Sequence, residues 1–170
     1  MNRPHSRAKI ASIDKSVVKR ITPEQKQLLK DSFATLEQDS LRNGLYIFLG
    51  MFSDYPTYKQ MFRQLASVSD SVLIDSPSMR TQAKNFMQGL SDIIHSVDSD
   101  DDKLLGTLIK IADVHHEKNV QKGHIEHMLP SVFEMLKSVS DAPVSADVQA
   151  AWRTLFEVIA ELIDQLNHAK

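Results

Sequence analysis

His115 is the residue whose type and position in this sequence point most directly to chemistry. It follows Leu104, Leu108 and Ile111 at helical spacing, so a stripe of apolar side chains ends on an imidazole. An imidazole on an apolar face can bind a metal through an unprotonated ring nitrogen. A core histidine that hydrogen bonds to the backbone gives the same pattern. The spacing alone leaves both interpretations open.

Gln82 is a second polar residue that faces inward from a helical segment. It lies one turn before Phe86 in residues 78–97. The apolar face of this segment consists of Met79, Ala83, Phe86, Leu90, Ile93 and Val97. An imidazole and an amide therefore point inward from two separate predicted helices.

Two metal sites other than one built on His115 alone are considered, a zinc site and a calcium loop. A zinc site could use His115, His116, Glu117, His124 and His127, but no zinc motif accompanies them and surface histidines explain most of the set.

A calcium loop is suggested by Asp98, Asp100 and Asp102. Lys103 stands where such a loop needs glycine, and Ile109 stands where it needs a bidentate glutamate. We interpret residues 97–102 as a solvated connector and helix cap.

The composition is that of one soluble globular domain. The chain has 170 residues, of which 42% are hydrophobic and 25% charged, and it has no cysteine. Disulfides and thiolate metal ligands are therefore excluded. No apolar run is long enough to span a bilayer, and no secretory signal is recognised, so a cytoplasmic location is expected. The net charge of −2 neither attracts nor repels nucleic acid by itself, and we expect no nucleic-acid partner.

The first 21 residues form a predicted basic N-terminal extension. Asp14 is the single acid among residues 1–20, against Arg3, Arg7, Lys9, Lys15, Lys19 and Arg20. A narrow apolar stripe could be formed by Ile10, Ile13, Val17 and Val18. The segment can be interpreted as a solvated arm or pre-helix, as a docking element for an anionic membrane or an acidic partner, or as a weak transit peptide.

Helix starts are well marked in two places. Thr22 and Pro23 provide a cap and a first-turn proline, and Gln25 is placed to complete a capping box. Ser76 and Pro77 begin the Gln82 helix in the same way.

The segment between these two starts contains a glycine and a proline break. Gly44, in the predicted helix 41–52, indicates close approach of another helix. Residues 54–56 break this helix, 57–62 form a short turn that ends on the buried Phe62, and 66–75 are predicted to be irregular.

Two longer helices close the chain. Pro130 lies inside the first and should either kink it or define its true start. The last runs from a cap at Ser145 through Leu166 in nearly perfect register. Since no segment alternates with strand periodicity, the predicted fold is all-α, with about seven or eight helices of unequal length.

From Thr22 to its C-terminus the chain resembles a globin, closest to the neuroglobin and cytoglobin side of the animal family. Gly44 matches the glycine at which two globin helices cross, and Pro56 and Phe62 match the family's proline and haem-stacking phenylalanine. Ser76 and Pro77 match the start of the distal helix. The strings IADVHHEKNV and AAW resemble the proximal segment and the start of the last helix.

The resemblance implies a globin domain over residues 22–170 that binds haem b. His115 would be the iron ligand, with Ile111 one turn earlier and Val120 in the following corner. Gln82 stands at the family's distal histidine and would face the sixth iron position. The remaining slot residues would be Phe48, Phe62, Phe86, Ile125, Met128 and Ile159.

The chain departs from the family pattern at several positions. Phe86 replaces a small aliphatic residue, and Phe33 replaces a tryptophan in the first helix. Val114 replaces a serine that often bonds the proximal imidazole, so the His115 ring must rely on a backbone carbonyl or another group.

The resemblance implies reversible binding of O2 or another diatomic gas, in storage, transport or sensing. Haem redox chemistry, such as NO dioxygenation or electron transfer, is an alternative at the same site. Bulky Phe48 and Phe86 leave a haem-free interaction module as a further alternative. The oligomeric state is left open.

Overall fold

The computed structural model describes residues 9–169, and all regular structure in this range is helical. Seven α-helices lie within it: α1 (Pro23–Glu37), α2 (Ser40–Asp54), α3 (Pro77–Ser96), α4 (Asp101–Glu117), α5 (Lys122–Glu126), α6 (Leu129–Ser140) and α7 (Ala146–His168). Three 3-10 helices cover Lys15–Arg20, Pro56–Met61 and Asp70–Asp75. A helical turn also covers 9–11. The predicted all-α class is confirmed.

The helix starts follow the predicted local chemistry. The backbone N–H of Gln25 donates to Oγ1 of Thr22 at 3.1 Å, and Oε1 of Gln25 accepts from the backbone N–H of Thr22 at 3.2 Å, which completes the capping box. Ser76 accepts from the backbone N–H of Met79 at 3.5 Å. These caps fix where α1 and α3 begin.

The long helix α7 lies at the centre of the packing and contacts α1, α4, α5 and α6. Its buried face includes Trp152, whose indole N–H donates to Oγ of Ser32 in α1 at 2.9 Å. The rest of this face runs through Leu155, Ile159, Leu162 and Leu166 in the predicted register.

At Gly44 the helices α2 and α3 approach closely. A Cβ atom at this position would lie 2.7 Å from Cγ of Met87 and 3.1 Å from the carbonyl oxygen of Ala83. A methyl group here would press on the Met87 side chain and the Ala83 backbone, so glycine suits the crossing. The predicted close crossing is confirmed, and it sets the position of α3.

One of the two alternatives for Pro130 is confirmed, and the prediction for 66–75 needs correction. Pro130 lies in the first turn of α6, and α5 is a separate short helix. The proline therefore starts a helix instead of kinking one, because the first turn needs no N–H donor. The stretch 66–75, predicted to be irregular, contains the 3-10 helix Asp70–Asp75, which buries Leu73.

The part of the basic extension that the structure describes packs on the core. Ile13, Val17, Val18 and Ile21 are buried, and the 3-10 helix Lys15–Arg20 contacts α4 and α7. Most of the apolar stripe of the extension therefore faces the protein itself.

Residues 1–8, with Arg3 and Arg7, lie outside the described range, and the predicted boundary at residue 22 stays a prediction. In the described part of the chain, no helix combines the length and the hydropathy needed to cross a membrane.

Candidate functional site

The orientation of the His115 ring is set by its own helix. Its Nδ1 lies 2.7 Å from the carbonyl oxygen of Ile111, one turn earlier in α4. A carbonyl only accepts, so Nδ1 carries the proton and the Nε2 lone pair is left available as a ligand. A backbone carbonyl therefore orients the His115 ring, as expected for a chain that has Val114 in place of a serine. The Val114 side chain is 48% exposed.

Burial holds the His115 imidazole in its neutral form. Desolvation lowers the pKa of His115, the hydrogen bond to Ile111 acts in the opposite direction, and the charge of Lys118 adds to the lowering. A neutral ring is the form that binds a metal, because an imidazolium has no free lone pair.

The chain turns sharply just after His115. Asn119 adopts a left-handed conformation with φ 59°, which asparagine tolerates better than most residues. The backbone N–H of Val120 then donates to the carbonyl oxygen of His115 at 3.1 Å. The backbone N–H of Asn119 donates to the carbonyl oxygen of His116, also at 3.1 Å. This helix end places Val120 next to the His115 turn.

His116 does not share the role of its neighbour. It was predicted to be a surface residue, but it is partly buried, and its Nδ1 lies 2.5 Å from Oδ1 of Asn167 near the end of α7. The amide of Asn167 also donates to the carbonyl oxygen of Val120 at 3.4 Å. His116 therefore attaches the corner after α4 to the last helix.

The predicted site residues from α2, the following corner and α3 form what we call the distal set: Phe48, Phe62, Gln82 and Phe86. The ring of Phe48 lies 5.7 Å from that of Phe62 and 5.2 Å from that of Phe86, edge to face in both pairs. Phe48 is buried, whereas Phe62 and Phe86 are only partly buried, although both were predicted on buried faces. The structure brings these three rings together.

Gln82 is partly exposed on α3. Within residues 9–169 no group is hydrogen bonded to its side-chain amide. The amide therefore keeps both N–H donors available.

Five further predicted site residues form the proximal set: Ile111, His115, Val120, Ile125 and Met128. Met128 is buried and the other four are partly exposed. Ile159, which was also predicted for the slot, is buried on α7. Helices α3 and α4 are in contact beside this set, since a Cβ atom on Gly89 would lie 3.8 Å from Cδ1 of Ile111. The two sets thus come from adjoining elements.

These residues fit a haem group in three respects. His115 offers an unprotonated nitrogen of fixed orientation. Phe62, Phe86, Ile111 and Ile125 are apolar side chains that keep part of their surface exposed, as a large apolar disc requires of its lining. The tight crossing at Gly44 places α3, which carries Gln82, against α2.

The zinc alternative finds no support in the geometry. Among the described residues, no group of three or more His, Asp or Glu side chains is placed to hold a metal ion. His124 and His127 instead lie against Tyr55 and Tyr58. Sequence reasoning missed these tyrosines, because no local pattern joins residues about 70 positions apart.

The chain is similar to proteins of one family over most of its length. It is 28% identical to a globin of Nerita albicilla over 151 residues, which cover 89% of this chain and 96% of that protein. It is 23% identical to cytoglobin-1 of Oryzias latipes, over 82% of this chain and 79% of that protein.

A solved structure shares the fold. The azide complex of ferric Aplysia limacina myoglobin is similar with a TM-score of 0.76 at 22% identity, covering 85% of this chain and 97% of the myoglobin. The globin family model matches residues 45–163. Since that match spans well over half of the sequence, this chain belongs to the globin family.

Proposed function

We propose that this chain binds haem b through His115 and reversibly binds O2 or another diatomic gas at the iron. The observation that carries the proposal is the 2.7 Å contact between Nδ1 of His115 and the carbonyl oxygen of Ile111, which leaves Nε2 free in a partly buried, neutral ring. Membership of the globin family supports the same ligand. Bound haem would supply the iron atom that holds the gas.

The other site residues would bind and orient the group. Phe62 and Phe86 of the distal set, with Ile111 and Ile125 of the proximal set, would cover its apolar faces. Gln82 would face the gas with a neutral amide that donates a hydrogen bond to a ligand carrying partial negative charge. This hydrogen bond would favour O2 over less polar ligands such as CO.

An absorption spectrum of the purified chain, with His115→Ala and His116→Ala beside it, tests the proposal. We expect a Soret band, with about one haem per chain. His115→Ala should lose stable haem binding and recover it with added imidazole, whereas His116→Ala should retain haem because its ring is hydrogen bonded to Asn167. Equal haem retention in the two variants would contradict the assignment of His115.

A haem-free interaction module is a second candidate, and one observation favours it. The ring of Phe48 already packs edge to face against those of Phe62, at 5.7 Å, and Phe86, at 5.2 Å. If these contacts filled the slot, haemin added to the purified chain would not bind, and Phe86→Val would make room for it. Saturable haemin binding by the unaltered chain excludes this candidate.

Haem redox chemistry, such as NO dioxygenation or electron transfer, would use the same His115 and Gln82. A slow rate of autoxidation of the oxygenated protein favours gas storage or transport, and rapid oxidation in the presence of NO favours the redox role. We further propose a cytoplasmic location. The basic side chains of residues 1–20 remain the candidate contact for an acidic partner or an anionic membrane.

A further inference from the structure

Four side chains form a cluster that the proposed gas site does not use. Tyr55 is the C-terminal cap residue that follows α2, and Tyr58 lies in the 3-10 helix Pro56–Met61. His124 belongs to α5, and His127 follows it. We call these four residues the Tyr–His cluster.

The central contact of the Tyr–His cluster is a short hydrogen bond. The phenol oxygen of Tyr58 lies 2.6 Å from Nδ1 of His127, and both side chains are partly buried. When the His127 proton is on Nε2, the phenol donates and Nδ1 accepts. Desolvation raises the pKa of Tyr58, and the Tyr55 phenol adds to the rise. The phenol thus keeps its proton at neutral pH.

Ring contacts hold the two partners of this hydrogen bond in place. Tyr55 stacks on the His127 ring, with centroids 4.3 Å apart and planes 9° from parallel. His124 meets Tyr58 edge to face at 4.9 Å. The His124 ring is itself held, because its Nδ1 accepts from the backbone N–H of Gln121 at 2.9 Å.

A phenol with a proton acceptor at this distance is suited to one-electron oxidation. Loss of an electron makes a phenol strongly acidic, so the oxidation is easiest where a base can take the proton at once. Imidazole is such a base. The exposed Tyr46 differs, because it lies under the Arg42 guanidinium, 5.2 Å from its ring centroid, and a neighbouring positive charge opposes oxidation.

We propose that Tyr58 and His127 form a redox-active pair. A one-electron oxidant takes one electron from the Tyr58 phenol, and the phenolic proton moves from the oxygen to Nδ1 of His127. The products are a neutral tyrosyl radical, an imidazolium on His127 and the oxidant reduced by one electron. A return electron restores the phenol and takes the proton back.

The position of the pair connects it to the gas site, and this step rests on the proposed function. Tyr58 precedes Phe62 by four residues, and His127 directly precedes Met128. Both partners therefore lie close in sequence to residues proposed to line the haem slot. A haem oxidised by a peroxide is the oxidant that we assign to the pair.

The pair can be tested without reference to haem. Photogenerated tris(bipyridine)ruthenium(III) is used to oxidise the full chain as purified, and radicals are followed by freeze-quench electron paramagnetic resonance. The chain has three tyrosines, so single Tyr→Phe variants assign the signal. We expect Tyr58→Phe to lose most of the early tyrosyl signal, while Tyr55→Phe, which removes a phenol stacked on the same imidazole, should retain it.

His127→Phe tests the proton acceptor, since it keeps a ring for Tyr55 to stack on. We expect formation of the Tyr58 radical to slow by about tenfold or more, because a positioned base typically contributes at least that much. Circular dichroism confirms that each variant is folded, and His127→Gln serves as a second variant that keeps a hydrogen-bond acceptor but not a base. A radical that survives Tyr58→Phe, or that forms at an unchanged rate in both His127 variants, overturns the pair.

Hydrogen peroxide added to the haem-loaded protein tests the connection to the gas site. We expect the same Tyr58-dependent signal. If the ruthenium oxidant produces the Tyr58 radical and peroxide does not, the pair stands and its assignment to haem is overturned. If the chain binds no haem, the proposed function fails while the ruthenium experiment still decides on the pair.

Discussion

Gly50 in α2 lies in close contact with Ser131 in α6, and this contact predicts how substitutions at the two positions change the free energy of unfolding. A Cβ atom on Gly50 would lie 2.3 Å from Oγ of Ser131 and 3.3 Å from its Cβ. The Ser131 side chain is buried, and its hydroxyl donates to the carbonyl oxygen of Ile47 at 2.6 Å. In Gly50→Ala the new methyl group must displace this hydroxyl.

The cost of Gly50→Ala follows from three contributions. Alanine gains about 1 kcal/mol over glycine inside a helix. Overpacking at a buried contact costs about 1–3 kcal/mol, and losing the hydroxyl's hydrogen bond costs about 1 kcal/mol. We expect a net loss of about 2 kcal/mol in the free energy of unfolding.

Ser131→Ala alone should cost about 1 kcal/mol, because it removes the same hydrogen bond without adding a contact. In the double variant the hydroxyl is absent, and the new methyl group of Gly50→Ala meets only the Cβ at position 131, where a small shift suffices. The double variant should therefore lose about 1 kcal/mol or less. Since the two single losses sum to about 3 kcal/mol, the coupling energy is about 2 kcal/mol.

Urea unfolding of the four proteins, all in the same haem state and followed by circular dichroism, measures this coupling. Gly106→Ala provides the matched control, because nothing lies within 4 Å of its Cβ position and it too sits inside a helix. That variant should gain about 0.5–1 kcal/mol. Additive losses at Gly50 and Ser131, or a gain from Gly50→Ala, would show that α2 and α6 are not in the contact described.

Three other perturbations address the iron site, the N-terminal segment and acid stability. If Gln82 faces the sixth iron position as proposed, the deoxy ferrous protein should be five-coordinate and high-spin, and Gln82→Leu should speed O2 release about fivefold by losing about 1 kcal/mol of hydrogen bonding; a six-coordinate low-spin ferrous spectrum at neutral pH would contradict this. Deleting residues 1–21 removes four buried aliphatic side chains, each worth about 1.5 kcal/mol or more, and should destabilise the protein by about 6 kcal/mol, whereas deleting 1–12, which leaves these four in place, should cost much less; equal urea midpoints for the two deletions would count against this packing. Burial lowers the pKa of His115 in the folded state, so the unfolded chain binds the extra proton more readily. The free energy of unfolding of the haem-free protein should therefore decrease as pH falls below about 6.5. His115→Gln should reduce this pH dependence when unfolding is measured at several pH values.

The features predicted correctly from the sequence are those that depend on neighbours along the chain. The capping box of Thr22 and Gln25 and the start at Ser76 involve residues three apart, so their chemistry is visible locally. The close helix crossing at Gly44 could be predicted because glycine destabilises a helix, and close approach of another backbone is a common reason for its presence there.

The missed features depend on pairs that are distant in sequence. Gly50 also lies inside a helix, so close approach of another element could be expected there. Its partner Ser131 lies in another helix, however, and the sequence spacing does not show that these two residues meet. The 3-10 helix Asp70–Asp75 is too short to show a helical period. The hydrogen bond of Tyr58 to His127 joins a corner to a segment after α5, which only the fold brings together.

The surroundings of His115 involve both a local contact and contacts between residues that are distant in sequence. The hydrogen bond to Ile111 is local, because any histidine in a helix can reach the carbonyl one turn earlier, and it sets which ring nitrogen is free. The corner after α4, which carries Val120, is attached to α7 through His116 and Asn167. The stripe of apolar residues could therefore mark His115 as the candidate ligand, whereas the attachment of the corner that follows it comes from the last turns of the chain, about fifty residues away.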